Sequence, residues 1–352
     1  MPLTVLPMAR LLAAFALLLA AWAPAAPTDE DVRVPAGGAR ATTAADLAPQ
    51  RSLSGGFNES WGYVFQFDDG ATAYLNLHRA DLGTFMKNAV GAEFAISGFN
   101  GQTYRIIKQY DASNLTWRNG RLSVHPEIFF EGVPPQAHRV YFKRGKDGDQ
   151  YEVDLRFSDI APGMTWGDGV FAFGGEEVGL FVHVPYARVS GTITINGRAK
   201  RVSGTAYMDH IFQTAFPPRL VDFAFRYVSH GPEREVGYLL LPDARFEQQP
   251  VGFGLRQRGG RWQLLKPAQV QVVSSRAALG VAVPQQVDLA YDAGRTILNR
   301  RGDRIQFSAF EELGGLQRTV ARQYVGGEVF GFRGQGTTNN RRPFAYDFIV
   351  VQ

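Results

Sequence analysis

The chain has 352 residues, 45% of them hydrophobic and 12% aromatic, so a globular protein with a sizeable core is expected rather than a disordered or fibrous one. Its 37 basic and 33 acidic residues are mixed along the sequence. The small excess of +4 provides no basic stripe for nucleic acid, although it is compatible with peripheral contact at an anionic membrane. With no cysteine, disulfide stapling and lipid attachment through a cysteine are excluded.

Residues 1–25 have the three parts of a secretory signal. These are a basic Arg10, the apolar run from Leu11 to Ala20, and the small-residue exit Ala23-Pro24-Ala25. Cleavage after Ala25 and a periplasmic or secreted protein are expected, with a retained N-terminal anchor as the alternative; the run is short for a spanning helix. Residues 26–50, rich in Pro, Ala, Gly and Thr, lack a period that could bury a face and read as a flexible lead-in. The remaining chain is long enough for two domains, placed at 51–213 and 214–352.

From Leu53 onward the signals are short, alternating and broken by Gly and Asn turns, as in an all-β fold. The stretch Glu59-Ser60-Trp61-Gly62-Tyr63-Val64-Phe65-Gln66-Phe67, then Asp68-Asp69-Gly70 and Tyr74-Leu75-Asn76-Leu77, reads as a strand, a polar turn and a returning strand. A second version begins at Val221-Asp222-Phe223-Ala224-Phe225-Arg226-Tyr227 and returns at Glu235-Val236-Gly237-Tyr238-Leu239, which implies two similar β-domains. Strict alternation marks Tyr151–Phe157 as a strand, and Asn196-Gly197 is a type I′ hairpin signal. Phe216-Pro217-Pro218-Arg219 cannot feed a ladder and is expected to cross between the domains. Further strands are expected at Trp262–Leu265, Gln269–Val273, Arg304–Phe307 and Phe344–Val350, and no helix of useful length is evident.

The hairpin at Asn196-Gly197 leads into Gly204-Thr205-Ala206-Tyr207-Met208-Asp209-His210. This string resembles the Gly-x-x-aromatic-Met-Asp-His signature of the hydroxyneurosporene synthase (carotenoid hydratase) and AttH-like proteins. The Asp68-Asp69-Gly70 hairpin is similar to the fungal survival-factor branch of the same superfamily. The resemblance covers roughly residues 55 to 350 and implies two lipocalin-like barrels in tandem. It also singles out Asp209, His210 and Tyr207 as candidate catalytic residues. The chain departs from the pattern at Tyr207, where the enzymes usually have Trp, and after His210, where Ile211-Phe212 replace an acidic residue and Trp.

An acid in an apolar pocket with an imidazole beside it suits protonation of an alkene. Adjacent strand residues point to opposite faces, however, so Tyr207 and Asp209 are expected on one face and Met208 and His210 on the other. A structural role for Asp209 in docking the domains is the competing reading. Trp61, Tyr63 and Glu59 in the first hairpin are candidate ligand-binding residues. The six histidines have no metal-site spacing, and no cofactor is called for.

The first expectation for function is binding or carriage of a lipophilic molecule, an isoprenoid or acyl lipid. The alternative is a cofactor-free hydratase, cyclase or isomerase acting on such a molecule, and a third is a structural or stress-protection protein. The missing acidic neighbour after His210 favours the binder, and enzyme activity and oligomeric state are left open.

Overall fold

The structure is a computed structural model that describes residues 32–50, 56–81, 89–243, 246, 249–311 and 313–352. The signal-like segment and its cleavage site lie outside the described residues. The first sheet comprises β1 (Val32–Arg33), β2 (Ala39–Ala41), β3 (Asn58–Phe67), β4 (Thr72–Ala80), β5 (Ala89–Phe99), β6 (Gln102–Asp111), β7 (Thr116–Arg118), β8 (Arg121–His125), β9 (Ile128–Glu131), β10 (Arg139–Lys146), β11 (Asp149–Ser158), β12 (Met164–Trp166), β13 (Val170–Phe173), β14 (Glu176–Ile195) and β15 (Arg198–Gln213). The second comprises β16 (Val221–Ser229), β17 (Glu235–Pro242), β18 (Val251–Arg258), β19 (Arg261–Leu265), β20 (Pro267–Ala278), β21 (Val281–Tyr291), β22 (Gly294–Ser308), β23 (Val329–Thr338) and β24 (Pro343–Val351).

The fold is all-β, two curled antiparallel sheets in tandem. The first runs β6-β5-β4-β3-β15-β14-β11-β10-β9 and continues to β8 and β7; the second runs β19-β18-β17-β16-β24-β23-β22-β21-β20. These orders correspond strand for strand, and the two hairpins read from the sequence, β3–β4 and β16–β17, hold equivalent places. Asn196 and Gly197 take φ of 52° and 75°, the pair of left-handed residues that a type I′ turn needs.

Each strand's pleat divides its side chains between two cores. Trp61, Tyr63, Phe65 and Phe67 of β3, with Ala206 and Met208 of β15, face the inside of the first barrel. Val64, Tyr207 and Ile211 face outward and pack with Ala224, Val228, Tyr238 and Ala345 of the second sheet. The second barrel has its own interior of Phe225, Tyr227, Leu289, Phe332 and Phe348. Gly204 lets β15 and β3 approach, since a β-carbon there would lie 2.2 Å from the Gln66 carbonyl oxygen.

Two expectations need correction. The segment up to Gln50, read as a flexible lead-in with no face to bury, instead carries β1, β2 and a helical turn α1 (Ala44–Leu47) in its described part. Leu47 is fully buried in the first barrel's core. Composition missed this because one leucine and several backbone carbonyls, rather than an apolar stripe, do the docking. The second correction is α2 (Gly315–Val325), a helix of 11 residues not evident in the sequence. It buries only Ala321 and Val325, one narrow contact that leaves no 3.6-residue pattern to read.

Candidate functional site

The Asp209-His210 dipeptide is divided by the pleat. Asp209 is fully buried on the outward face, where Arg226 of β16 reaches across from the second sheet and binds it through two hydrogen bonds. Nε donates to Oδ2 at 2.5 Å and Nη2 to Oδ1 at 2.8 Å. Gly62 stands opposite Asp209 in the ladder, and a β-carbon there would lie 2.5 Å from the guanidinium and 2.9 Å from the carboxylate. The glycine therefore makes the space in which the ion pair forms.

The pair belongs to a longer chain of charges between the sheets. Arg226 also contacts Asp347 of β24 at 3.3 Å, Arg333 of β23 contacts Asp347 at 3.1 Å, and Arg333 donates to both oxygens of Glu93 at 2.7 and 3.0 Å. Arg105 binds Glu93 at 2.7 Å and carries the chain on to Glu311. Four carboxylates thus alternate with three guanidiniums. Burial pushes the Asp209 carboxyl up and Arg226 opposes it, while Asp209 and Asp347 hold Arg226 firmly protonated against its own burial. Tyr207 lies on the same face, its ring 5.8 Å from the Arg226 guanidinium, and burial followed by the Asp209 charge pushes its hydroxyl well up.

His210 points the other way, into the first barrel. Its Nε2 lies 2.8 Å from Oε1 of Glu59, and its Nδ1 lies 2.6 Å from the backbone carbonyl of Asp46. Trp61 stacks on the imidazole at 4.6 Å between centroids and 11° between planes, and donates its indole N–H to the Leu47 carbonyl. Arg79 donates to the second oxygen of Glu59 at 2.5 Å, and the Gln50 N–H donates to the first at 2.8 Å. His183 of β14 points its Nε2 at the same Asp46 carbonyl at 3.2 Å, and burial together with nearby His210 lowers its pKa to about 3, which keeps it neutral.

The proton inventory follows from the partners. A carbonyl oxygen only accepts, so Nδ1 of His210 carries a hydrogen. One further proton sits between Nε2 and Glu59, since two bare acceptors would not meet at 2.8 Å. Tyr63 is nearby but separately satisfied. Its hydroxyl donates to Nε2 of His138 at 2.9 Å, and His138 donates to the Gly132 carbonyl; burial lowers the His138 pKa to about 4.

Glu59, Trp61 and His210 therefore come together inside the first barrel, whereas Tyr207 and Asp209 stand on the opposite face of the same strand. Arg79, His183 and the Asp46 carbonyl were missed by the sequence reading. Arg79 was within reach of it, because Glu59 and Arg79 face each other across the hairpin centred on Asp69. Arg226 was not, because its partner lies on the other sheet.

No family model matches the chain, and no curated protein matches it significantly. Solved structures do. An AttH of Nitrosomonas europaea superposes with a TM-score of 0.62 at 13% identity, covering 87% of this chain and 99% of that one. Kievitone hydratase from Nectria haematococca gives 0.51 at 14%, covering 84% and 88%. CghA gives 0.53 at 12%, covering 93% and 95%. The likeness is one of fold: the tandem arrangement of two curled sheets is shared with these solved structures.

Two outcomes are expected from the interface. Asp209→Ala leaves Arg226 buried without its carboxylate, which should cost about 3–5 kcal/mol in urea unfolding, and Asp209→Asn should cost less. An Ala variant as stable as the parent would show that the pair does not hold the sheets together. Burial alone would raise the Glu93 carboxyl, yet Arg333 and Arg105 bring it down to about 2. Because this folded value lies below the unfolded one, the stabilisation is full above the ordinary carboxylate range and is lost as pH falls towards 2. The stability gap between the parent and Glu93→Gln should therefore narrow from pH 6 to pH 2.5; a gap that stays constant would contradict the assignment.

Proposed function

We propose that the chain is a cofactor-free acid–base enzyme acting on a lipophilic, isoprenoid-type substrate by hydration, cyclisation or isomerisation. Its proton-handling pair is Glu59 and His210. The observation that carries the reading is the 2.8 Å carboxylate–imidazole contact, fully buried against the face of Trp61 within an aromatic barrel. In such a site water does not compete for the shared proton, and the indole face stabilises positive charge on the imidazole or on a carbon cation formed beside it.

For hydration, the pair gives its proton to one carbon of an alkene, a water adds to the other carbon, and the proton that water releases returns to the pair. Bonds and charges balance without an oxidant or reductant. Cyclisation and isomerisation need the same proton given at one carbon and taken from another. Arg79 keeps Glu59 in place throughout, and the Asp46 carbonyl keeps the imidazole in one orientation.

The comparisons support this enzymatic reading better than simple carriage, because one protein of the same fold is a hydratase and CghA has been crystallised with the small molecule Sch210972. The departures after His210 weigh less once Asp209 is seen to dock the sheets, since the carboxylate that serves His210 is Glu59. We also propose that the protein works outside the cytoplasm, on the strength of the signal-like residues 1–25.

The test is incubation of the purified protein with a panel of prenylated and polyene lipids in H₂¹⁸O and, separately, in D₂O. Uptake of labelled oxygen or of carbon-bound deuterium is expected, falling by about 10²–10⁴-fold in Glu59→Gln and in His210→Gln variants shown to be folded by near-UV circular dichroism. A lipid that binds and is recovered without label would return the reading to a carrier.

A further inference from the structure

With the Glu59–His210 pair taken as the site, its cover is a single short segment. Asp46 accepts through its carbonyl from both His210 and His183, Leu47 accepts from the Trp61 indole, and the Gln50 N–H donates to Glu59. Four side chains of the site are thus bound by the backbone of three residues. Glu59 is 1% exposed and His210 0%, so with this segment seated neither meets solvent.

The same segment is held by short ladders, with Leu47 as its one fully buried side chain. β1 pairs with β13 over two residues and β2 with β12 over three, against ten for the pairing of β15 with β3. Its turn is shaped by Thr43, which caps α1, and by a clasp in which Arg40 donates to both oxygens of Asp46 at 2.8 Å and to the Gly167 carbonyl at 2.7 Å. The clasp is partly exposed and so contributes modestly.

A surface hollow lies at the same end of the first barrel. The ladder registers place Asn58, Ala80, Ala89 and Asp111 at one end of the first barrel, and β7 follows directly from there. At β7 and β8 a hollow of about 520 Å³ is lined by Thr116, Trp117, Arg118 and Arg121. Trp117 meets Phe130, and Phe130 meets Trp61, each at 6.2–6.4 Å between ring centroids. A line of packed aromatic rings therefore runs from this hollow to the ring stacked on His210.

We propose that residues 39–50 form a movable strap that both covers and positions the site. Seated, the Asp46 carbonyl holds the hydrogen on Nδ1 of His210 and so leaves Nε2 for exchange with Glu59. Lifted, it uncovers His210, Trp61 and Glu59 together to a lipophile lodged at the hollow. The proposal rests on the reading of Glu59 and His210 as the working pair, but strap opening can be measured without any turnover.

The experiment is native-state hydrogen exchange followed by NMR on the full chain, reading the Trp61 indole N–H and the Gln50 amide against the backbone amides of β3. In the parent both strap-bound protons should exchange through an opening that leaves β3 protected. Arg40→Gln should speed both by about tenfold or more while β3 is unchanged, and should speed uptake of the fluorescent fatty acid cis-parinaric acid in parallel. Exchange of the Trp61 and Gln50 protons only together with β3, in parent and variant alike, would overturn the strap. If the strap opens but the H₂¹⁸O and D₂O incubations return unlabelled lipids, the strap stands and the enzymatic reading falls.

Discussion

The arrangement of the molecule depends on one buried ion pair, Asp209 with Arg226, and on the alternating charges that extend it through Asp347, Arg333 and Glu93 to Arg105. Two sheets that meet through apolar residues alone could slide over one another at little cost. A row of charges removed from water admits far fewer arrangements, because any shift leaves a charge without its partner. The strict alternation of sign along the row, and the glycine at position 62 that makes room for the guanidinium, fix which strands face each other. Hydrogen bonds from Tyr74 to the Tyr346 carbonyl and from Gln66 to the Val228 carbonyl complete the seam.

Once Asp209 is committed to that seam, the two-residue period of a strand determines the rest. His210 must enter the first barrel, where the neighbouring strand offers Trp61 beside it and Glu59 one pleat further along. The motif thus places adjacent side chains in two settings, one holding the sheets and one inside the first barrel. The second barrel has a buried carboxylate of its own, Glu235, but there Arg256, Thr296 and Tyr227 satisfy it with no imidazole in the cluster. A buried carboxylate–imidazole contact is therefore a property of the first barrel's cluster.

Much of the fold was legible because hairpins carry their own register. With Asp69 at the turn, Trp61 must face Leu77 and Glu59 must face Arg79, and alternation then assigns each side chain to a face. The same alternation places Asp209 and His210 on opposite faces from the sequence alone. What remained hidden were contacts whose partners are distant in sequence and carry no pattern. Arg226 looks like any polar residue on an alternating strand until the other sheet supplies Asp209. Asp46 acts through its carbonyl, which no side-chain pattern can announce, and His183 becomes part of the site only because β14 lies beside β15.

The division of labour within the motif is tested most directly by paired double-mutant cycles on unfolding free energy, one joining Asp209→Asn with Arg226→Met and the other joining Asp209→Asn with His210→Gln. Residues that share partners couple strongly, whereas residues that share none are additive to within about 0.5 kcal/mol. The account requires a coupling of about 2 kcal/mol or more between Asp209 and Arg226 and additivity between Asp209 and His210, although the latter two are neighbours in the chain. Strong coupling between Asp209 and His210, or none between Asp209 and Arg226, would contradict it.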